Sequence, residues 1–145
     1  ATQITAVATL ATDGVYYIRI ENTDGLAVRS SSAVLTISDV PAWQTAGGSL
    51  GSVAGNFNGT IATVSATGDT IVYSESTNVL TNASLANCTL NTSTGVISST
   101  DFGGSATSAT TYSFTLVATD AQNQASSRNF TLSSSYSIGN SGQFN

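Results

Sequence analysis

The residues able to do chemistry are few, and they are spread thinly along the chain. There are eight carboxylates, three arginines (Arg19, Arg29, Arg128), one cysteine (Cys88) and one tryptophan (Trp43), and lysine, histidine and methionine are absent. Without histidine or lysine, neither a serine nor Cys88 has an ordinary base to activate it as a nucleophile. A glycosidase needs two juxtaposed carboxylates. The only glutamates, Glu21 and Glu75, fall in different parts of the chain. No glycine-rich loop has phosphate-binding spacing, since the glycines sit among Ser and Thr in turns. These residue types predict a chain that is not an enzyme, with no catalytic residues.

Asp39, Asp69, Asp101 and Asp120 are the candidate calcium carboxylates. Calcium takes about six to eight oxygens, usually from several acidic ligands close together. These four are well separated in sequence, so each reads as the cap of a turn. Asp13-Gly14 and Asp24-Gly25 carry turn chemistry as well. The expectation is no metal and no cofactor. A lone cysteine forms no intrachain disulfide, and Cys88 reads as a small buried hydrophobe, with an interchain bridge as the alternative. Trp43 reads as a core anchor with its N–H bonded, and carbohydrate stacking is the second reading. Asn-x-Ser/Thr triplets occur at Asn58, Asn82, Asn87, Asn91 and Asn129, as expected by chance in a chain so rich in these residues.

The charge balance narrows the partners. Charged residues are 8% of the chain and the net charge is −5, where an ordinary domain carries roughly 25% charged residues. Three scattered arginines give no footprint for nucleic acid, nor for an anionic membrane surface. Solubility rests on hydroxyls and amides, so binding through charge is weak and salt matters little. No apolar run reaches the ~20 residues of a membrane helix. The first residues lack an initiator Met and a signal-peptide pattern, and the sequence reads as a piece of a longer protein.

Strands must position whatever the chain presents. Period-two alternation recurs and helical periodicity does not. In the first part, residues 15–20 read as a strand with Val15, Tyr17 and Arg19 on one face and Tyr16, Ile18 and Ile20 on the other. Asn22-Thr23-Asp24-Gly25 makes a hairpin turn, residues 26–30 return, and residues 33–37 form a further strand. The only proline, Pro41, follows Ser38-Asp39-Val40 and marks a stiff boundary. Beyond it, strands are expected at residues 49–53, 60–66, 70–75, 87–90, 95–98, 111–118 and 127–133. In the strand over 111–118, Tyr112, Phe114 and Leu116 share one face, and Ser113, Thr115 and Val117 the other. About seven short strands with turns every ~8–12 residues predict an all-β, immunoglobulin-like β-sandwich. Residues 99–109 read as a long mobile loop. The domain expectation is therefore a partial Ig-like domain at 1–39, a complete sandwich at 40–133, and a Ser/Gly/Asn-rich linker or tail at 134–145.

Three stretches carry a family resemblance. They are Pro41-Ala42-Trp43-Gln44-Thr45 leading to Gly48-Ser49-Leu50-Gly51, then Leu90-Asn91-Thr92-Ser93-Thr94-Gly95-Val96-Ile97-Ser98, and Tyr112-Ser113-Phe114-Thr115-Leu116-Val117-Ala118-Thr119-Asp120. They resemble the Ig-like, cadherin-like modules of phage tail and virion proteins and of bacterial surface proteins. Thr2-Gln3-Ile4-Thr5-Ala6, Asp13-Gly14-Val15-Tyr16 and Glu21-Asn22-Thr23-Asp24-Gly25-Leu26-Ala27 resemble the C-terminal half of an IPT/TIG-type Ig domain. Two departures stand out. Ser99 occupies the place of the family's usual Gly, and Asp120 is followed by the carboxylate-poor Ala121-Gln122-Asn123-Gln124. The resemblance implies a structural or display module on a virion surface, such as a tail, fibre or capsid-decorating protein. It would assemble with other virion or surface-protein subunits and touch a host-surface glycan weakly, with residues 99–109 as the contact. The alternatives are a bacterial cell-surface adhesin, an extracellular filament subunit, or an accessory domain of a secreted carbohydrate-active enzyme.

Overall fold

The structure is a computed structural model, which describes residues 14–29, 31, 35–37, 39–80, 85, 87–103 and 109–135. Every regular element among them is a strand. The chain divides into two compact units, Ala1–Asp39 and Val40–Asn145.

Among its described residues the first unit shows two short ribbons. β1 (Gly14–Tyr16) pairs with β4 (Leu35–Ile37), and β2 (Arg19–Glu21) pairs with β3 (Ala27–Arg29). The single strand expected over 15–20 is therefore two, broken at Tyr17-Ile18, because its halves take different partners. The turn between β2 and β3 is capped by Asn22 rather than Asp24. Asn22 Oδ1 accepts from Asp24 N at 3.1 Å and Leu26 N at 2.9 Å, and Gly25 supplies a φ of +80°. In the ladder Ile20 opposes Val28 and Arg19 opposes Arg29. Arg19 is neutralised by Glu21, and the Arg29 guanidinium lies 4.2 Å from the Tyr17 ring centroid. The other face of the ribbon is apolar and open: Ile20 is 55% exposed and Val28 75%.

The second unit is a sandwich of two main sheets. The four-stranded sheet runs β6 (Gly48–Ala54), β13 (Ala125–Ser135), β12 (Thr110–Thr119), β9 (Val72–Glu75). The three-stranded sheet runs β10 (Cys88–Leu90), β11 (Val96–Ser99), β7 (Gly59–Thr63). A small ribbon joins β5 (Ala42–Trp43) to β8 (Ala66–Thr67). Alternation dictates the layers, since successive side chains point to opposite faces. Phe114, Leu116 and Ala118 of β12 and Phe130, Leu132 and Ser134 of β13 are buried, and the residues between them are not. They pack with Trp43, Val64, Tyr73, Ile97 and Phe102 in one core.

Four expectations need correction. The strand read over 60–66 changes sheets. Val64 turns into the core and donates its N–H to Gly95 O, while Ser65 O accepts from Gln44 N and Thr45 N. The chain thus leaves β7 and re-pairs as β8. The strand read over 70–75 begins only at Val72, because Thr70, at φ +52°, belongs to the preceding turn. The loop read over 99–109 is anchored at its start. Ser99 ends β11, Phe102 is fully buried and donates its N–H to Phe57 O, and Gly103 N bonds to Gly55 O. The tail expected over 134–145 does not begin at 134, and its residues 136–145 lie outside the described residues. β13 runs to Ser135, and buried Ser134 accepts from Thr110 N through Oγ at 3.1 Å.

The β10–β11 turn fixes one end of this core. Asn91 Oδ1 accepts from Ser93 N and Thr94 N, both at 3.0 Å. Gly95 then adopts φ +69°, where a side chain is strained. A Cβ there would collide with the Val64 carbonyl oxygen and sit 3.2 Å from the Tyr73 ring. Gly95→Ala is expected to cost about 2–4 kcal/mol through strain plus overpacking, read as a lower urea midpoint of the whole chain. An unchanged midpoint would show that the turn does not constrain the core.

Candidate functional site

Asp120 sits at the β12–β13 turn, 5% exposed. Its Oδ1 accepts from Gln122 N at 2.9 Å and Gln124 N at 2.7 Å, and Asn123 takes φ +63° to close the loop. Asp69 lies against the same turn. Its backbone oxygen accepts from Ala121 N at 2.9 Å, its Oδ2 from Gln122 Nε2 at 3.3 Å, and its Oδ1 from the Thr70 hydroxyl. The fold thus brings two of the four candidate calcium carboxylates to one end of the unit. Both are engaged in joining the 68–71 and 120–124 turns. Asp101 is exposed and follows the Ser99 cap, and Asp39 is exposed at the start of Val40-Pro41. Among the described residues, no three His, Cys, Asp or Glu side chains gather in one place. Asp13 and Asn82 lie outside the described residues.

Glu75 was not singled out by its sequence context, yet it organises a loop. One carboxylate oxygen accepts from the Thr77 hydroxyl and Val79 N, and the other from Leu80 N at 3.0 Å. These bonds satisfy amides that would otherwise be orphaned as the chain leaves β9. Glu21 is in the first unit, paired with Arg19.

Trp43 is 8% exposed. Its Nε1 donates to Ser126 O at 3.2 Å, and its ring packs edge-on to Phe130 and tilted against Tyr73. It anchors the core and presents no face for stacking a sugar. Cys88 is 2% exposed, opposite Ser99 in the β10–β11 ladder. Burial pushes its thiol pKa up, and a hydrogen bond with Ser99 pulls it part of the way back.

The outer face of the four-stranded sheet carries a concavity lined by uncharged polar side chains. An open trough of about 410 Å³ crosses it from Gly48 to Thr77, over Ser113, Thr115, Asn129 and Thr131. Its floor is the backbone of Phe114 and Phe130, whose rings point into the core. Among the described residues no charged side chain lines it. Three successive cross-strand pairs lie on this face in and beside the trough: Thr111 with Ser133, Ser113 with Thr131, and Thr115 with Asn129. Thr111 and Ser133 share a hydrogen bond at 2.9 Å, and the Thr115 hydroxyl donates to Asn129 Oδ1 at 2.8 Å. Sequence reading put Ser113 and Thr115 on the face opposite Phe114 and Leu116. It did not find the trough, because that depends on the register between β12 and β13 and on the Thr77 loop.

No family model matches the chain, and neither does any curated protein. Solved structures do match its fold. A structure of protocadherin gamma B2 extracellular cadherin domains 3-6 matches at TM-score 0.54 and 23% identity, over 66% of this chain and 22% of that one. Protocadherin gamma B7 extracellular cadherin domains 1-4 match at TM-score 0.55 and 12% identity, over 88% of this chain and 41% of that one. A protocadherin gamma B7 EC3-6 cis-dimer structure matches at TM-score 0.52 and 20% identity, over 77% of this chain and 30% of that one. The chain therefore spans less than half the length of the structures it resembles. At these identities the likeness is one of fold, and it makes the chain an all-β protein of Ig-like, cadherin-like sandwich architecture.

Two outcomes test these assignments. Added calcium is expected to leave the thermal midpoint unchanged, since a site-bound ion would raise it; a rise would reassign Asp69 and Asp120 as ligands. For Cys88 the folded pKa lies above the unfolded one. The stabilisation is complete below the ordinary thiol pKa, ~8.5, and is lost as pH rises towards the folded value. The thiol should resist alkylation in the native chain and react on unfolding. Native stability should fall more steeply at alkaline pH than in Cys88→Ala.

Proposed function

We propose that the chain is a non-enzymatic structural and display module of a virion surface, in a tail, fibre or capsid-decorating protein. The observation that carries this is where the polar chemistry goes. Asp69, Asp120, Glu75 and Asn91 cap turns, Arg128 Nη1 bonds to Thr45 O, and Cys88 is buried. These groups hold the sandwich together, and the trough on the outer face of its four-stranded sheet is lined by uncharged hydroxyls and an amide. A β-sandwich of this kind is a spacer whose surface tolerates changes of salt. The proteins it resembles in fold are named as arrays of extracellular cadherin domains, which supports placement outside the cell or particle in a tandem array. Virion placement itself rests on the sequence resemblance.

A second reading, an extracellular filament or adhesin subunit, draws on the open apolar face of the β2–β3 ribbon. Such a face suits a neighbouring sheet, and sheets stack face to face through apolar side chains. An antibody raised against the chain separates the readings. Gold labelling on the outside of intact particles is expected, at sites repeated along a tail, fibre or capsid. Labelling only after particles are broken open would overturn the display reading, and labelling of cell-surface filaments would transfer the chain to the second.

A further inference from the structure

We infer that the trough on the outer face of the four-stranded sheet binds a neutral, hydroxyl-rich ligand, a glycan of uncharged pyranose units, with Ser113, Thr131 and Asn129 as the recognition residues. The inference rests on the display reading for access to a ligand outside the particle and takes the ligand's chemistry from the lining.

It starts from an asymmetry in one ladder. Of three successive outward pairs, the two outer ones are closed on themselves: Thr111 with Ser133, and Thr115 with Asn129. The middle pair, Ser113 opposite Thr131, is not. Among the described residues neither hydroxyl has a hydrogen-bond partner, and Asn129 spends only its Oδ1 on Thr115, leaving its NH₂ to donate. These three groups therefore meet at the centre of the trough. The far wall is fixed, because Thr77 accepts from Thr115 N at 3.0 Å and donates to Glu75.

The chemistry of the lining selects the ligand. Each hydroxyl is both donor and acceptor, and the Asn129 amide adds two donors. Two opposed side chains on neighbouring strands stand ~4.5–5.5 Å apart at Cβ, which suits adjacent hydroxyls on one sugar ring. With no charge in the trough, an anionic or cationic ligand would find no counter-ion. Its volume of about 410 Å³ lies within the ~300–1,000 Å³ of small-ligand sites. The trough is open and has no exposed aromatic ring, so single-site affinity belongs on the order of millimolar. Repetition on one particle would raise avidity by roughly 10²–10⁴.

The test is an amide-resolved NMR titration of the whole chain with three probes, the methyl glycosides of glucose, mannose and galactose, at concentrations on the order of tens of millimolar. A saturable shift with at least one probe is expected at Ser113, Thr115, Asn129 and Thr131. The double variant Ser113→Val, Thr131→Val should weaken it about tenfold or more while keeping the wild-type melting midpoint. The neighbouring double variant Thr111→Val, Ser133→Val should bind as wild type. No saturable shift with any probe overturns the proposal, as does a shift that survives in the first variant. A saturable shift confined to residues 99–103 would move glycan contact to that loop and overturn this site, leaving the display reading intact. Conversely, antibody labelling confined to particle interiors would remove the display reading without touching binding at the trough.

Discussion

The sandwich depends on how the 91–95 turn seats against Val64 and Tyr73. This turn belongs to the three-stranded sheet, between β10 and β11, yet its groups reach elements outside that sheet. Tyr73, on β9 of the four-stranded sheet, donates its N–H to Thr92 O at 2.7 Å. Val64, between β7 and β8, donates to Gly95 O at 2.9 Å. The Tyr73 hydroxyl accepts from Ala66 N at 2.9 Å, and its ring meets Trp43. One turn therefore ties both main sheets to the β5–β8 ribbon. Only glycine at position 95 lets the backbones approach this closely, and Asn91 supplies the cap that sets the turn. The Leu90 to Ser98 motif has a physical reason in each of these groups.

The remaining polar groups follow the same economy. A chain with 8% charged residues cannot spend its carboxylates on surface charge and also on structure. Asp120, Asp69 and Glu75 accept from backbone N–H groups or neighbouring side chains where the chain turns. Hydrogen bonds to charged acceptors are stronger than those between neutral groups, so a few carboxylates can hold several loops. At the trough the outer sheet face is left to Ser, Thr and Asn. Of the three successive pairs at the trough, the outer two close on themselves and the middle one stays open, which gives this part of the surface a distinct place.

Much of this fold was legible in the sequence wherever alternation is long. Tyr112, Phe114 and Leu116 could be placed on one face of β12 from period-two patterning alone, and the Asn91 to Gly95 turn could be read from its residues. The failures lie where tertiary partners decide. The break at Val64 comes from Gly95 O and from the Gln44-Thr45 amides, none of which is near it in sequence. Phe102 sits in a Gly/Ser-rich stretch without periodicity, and its burial depends on Phe57 and Tyr112. The split of residues 15–20 into β1 and β2 comes from pairing with β4 and β3. Asp69 and Asp120 looked isolated because sequence distance hides the meeting of two turns. The trough could not be seen because it depends on strand register.

Native-state hydrogen exchange tests the central claim most directly. If the 91–95 turn is part of what holds the two sheets together, the amides of Val64, Tyr73 and Gly95 should exchange only through global unfolding, with the same opening free energy as Leu116 and Leu132 in the central strands. Exchange of those three amides through local opening, while the β12–β13 ladder stays protected, would contradict the account.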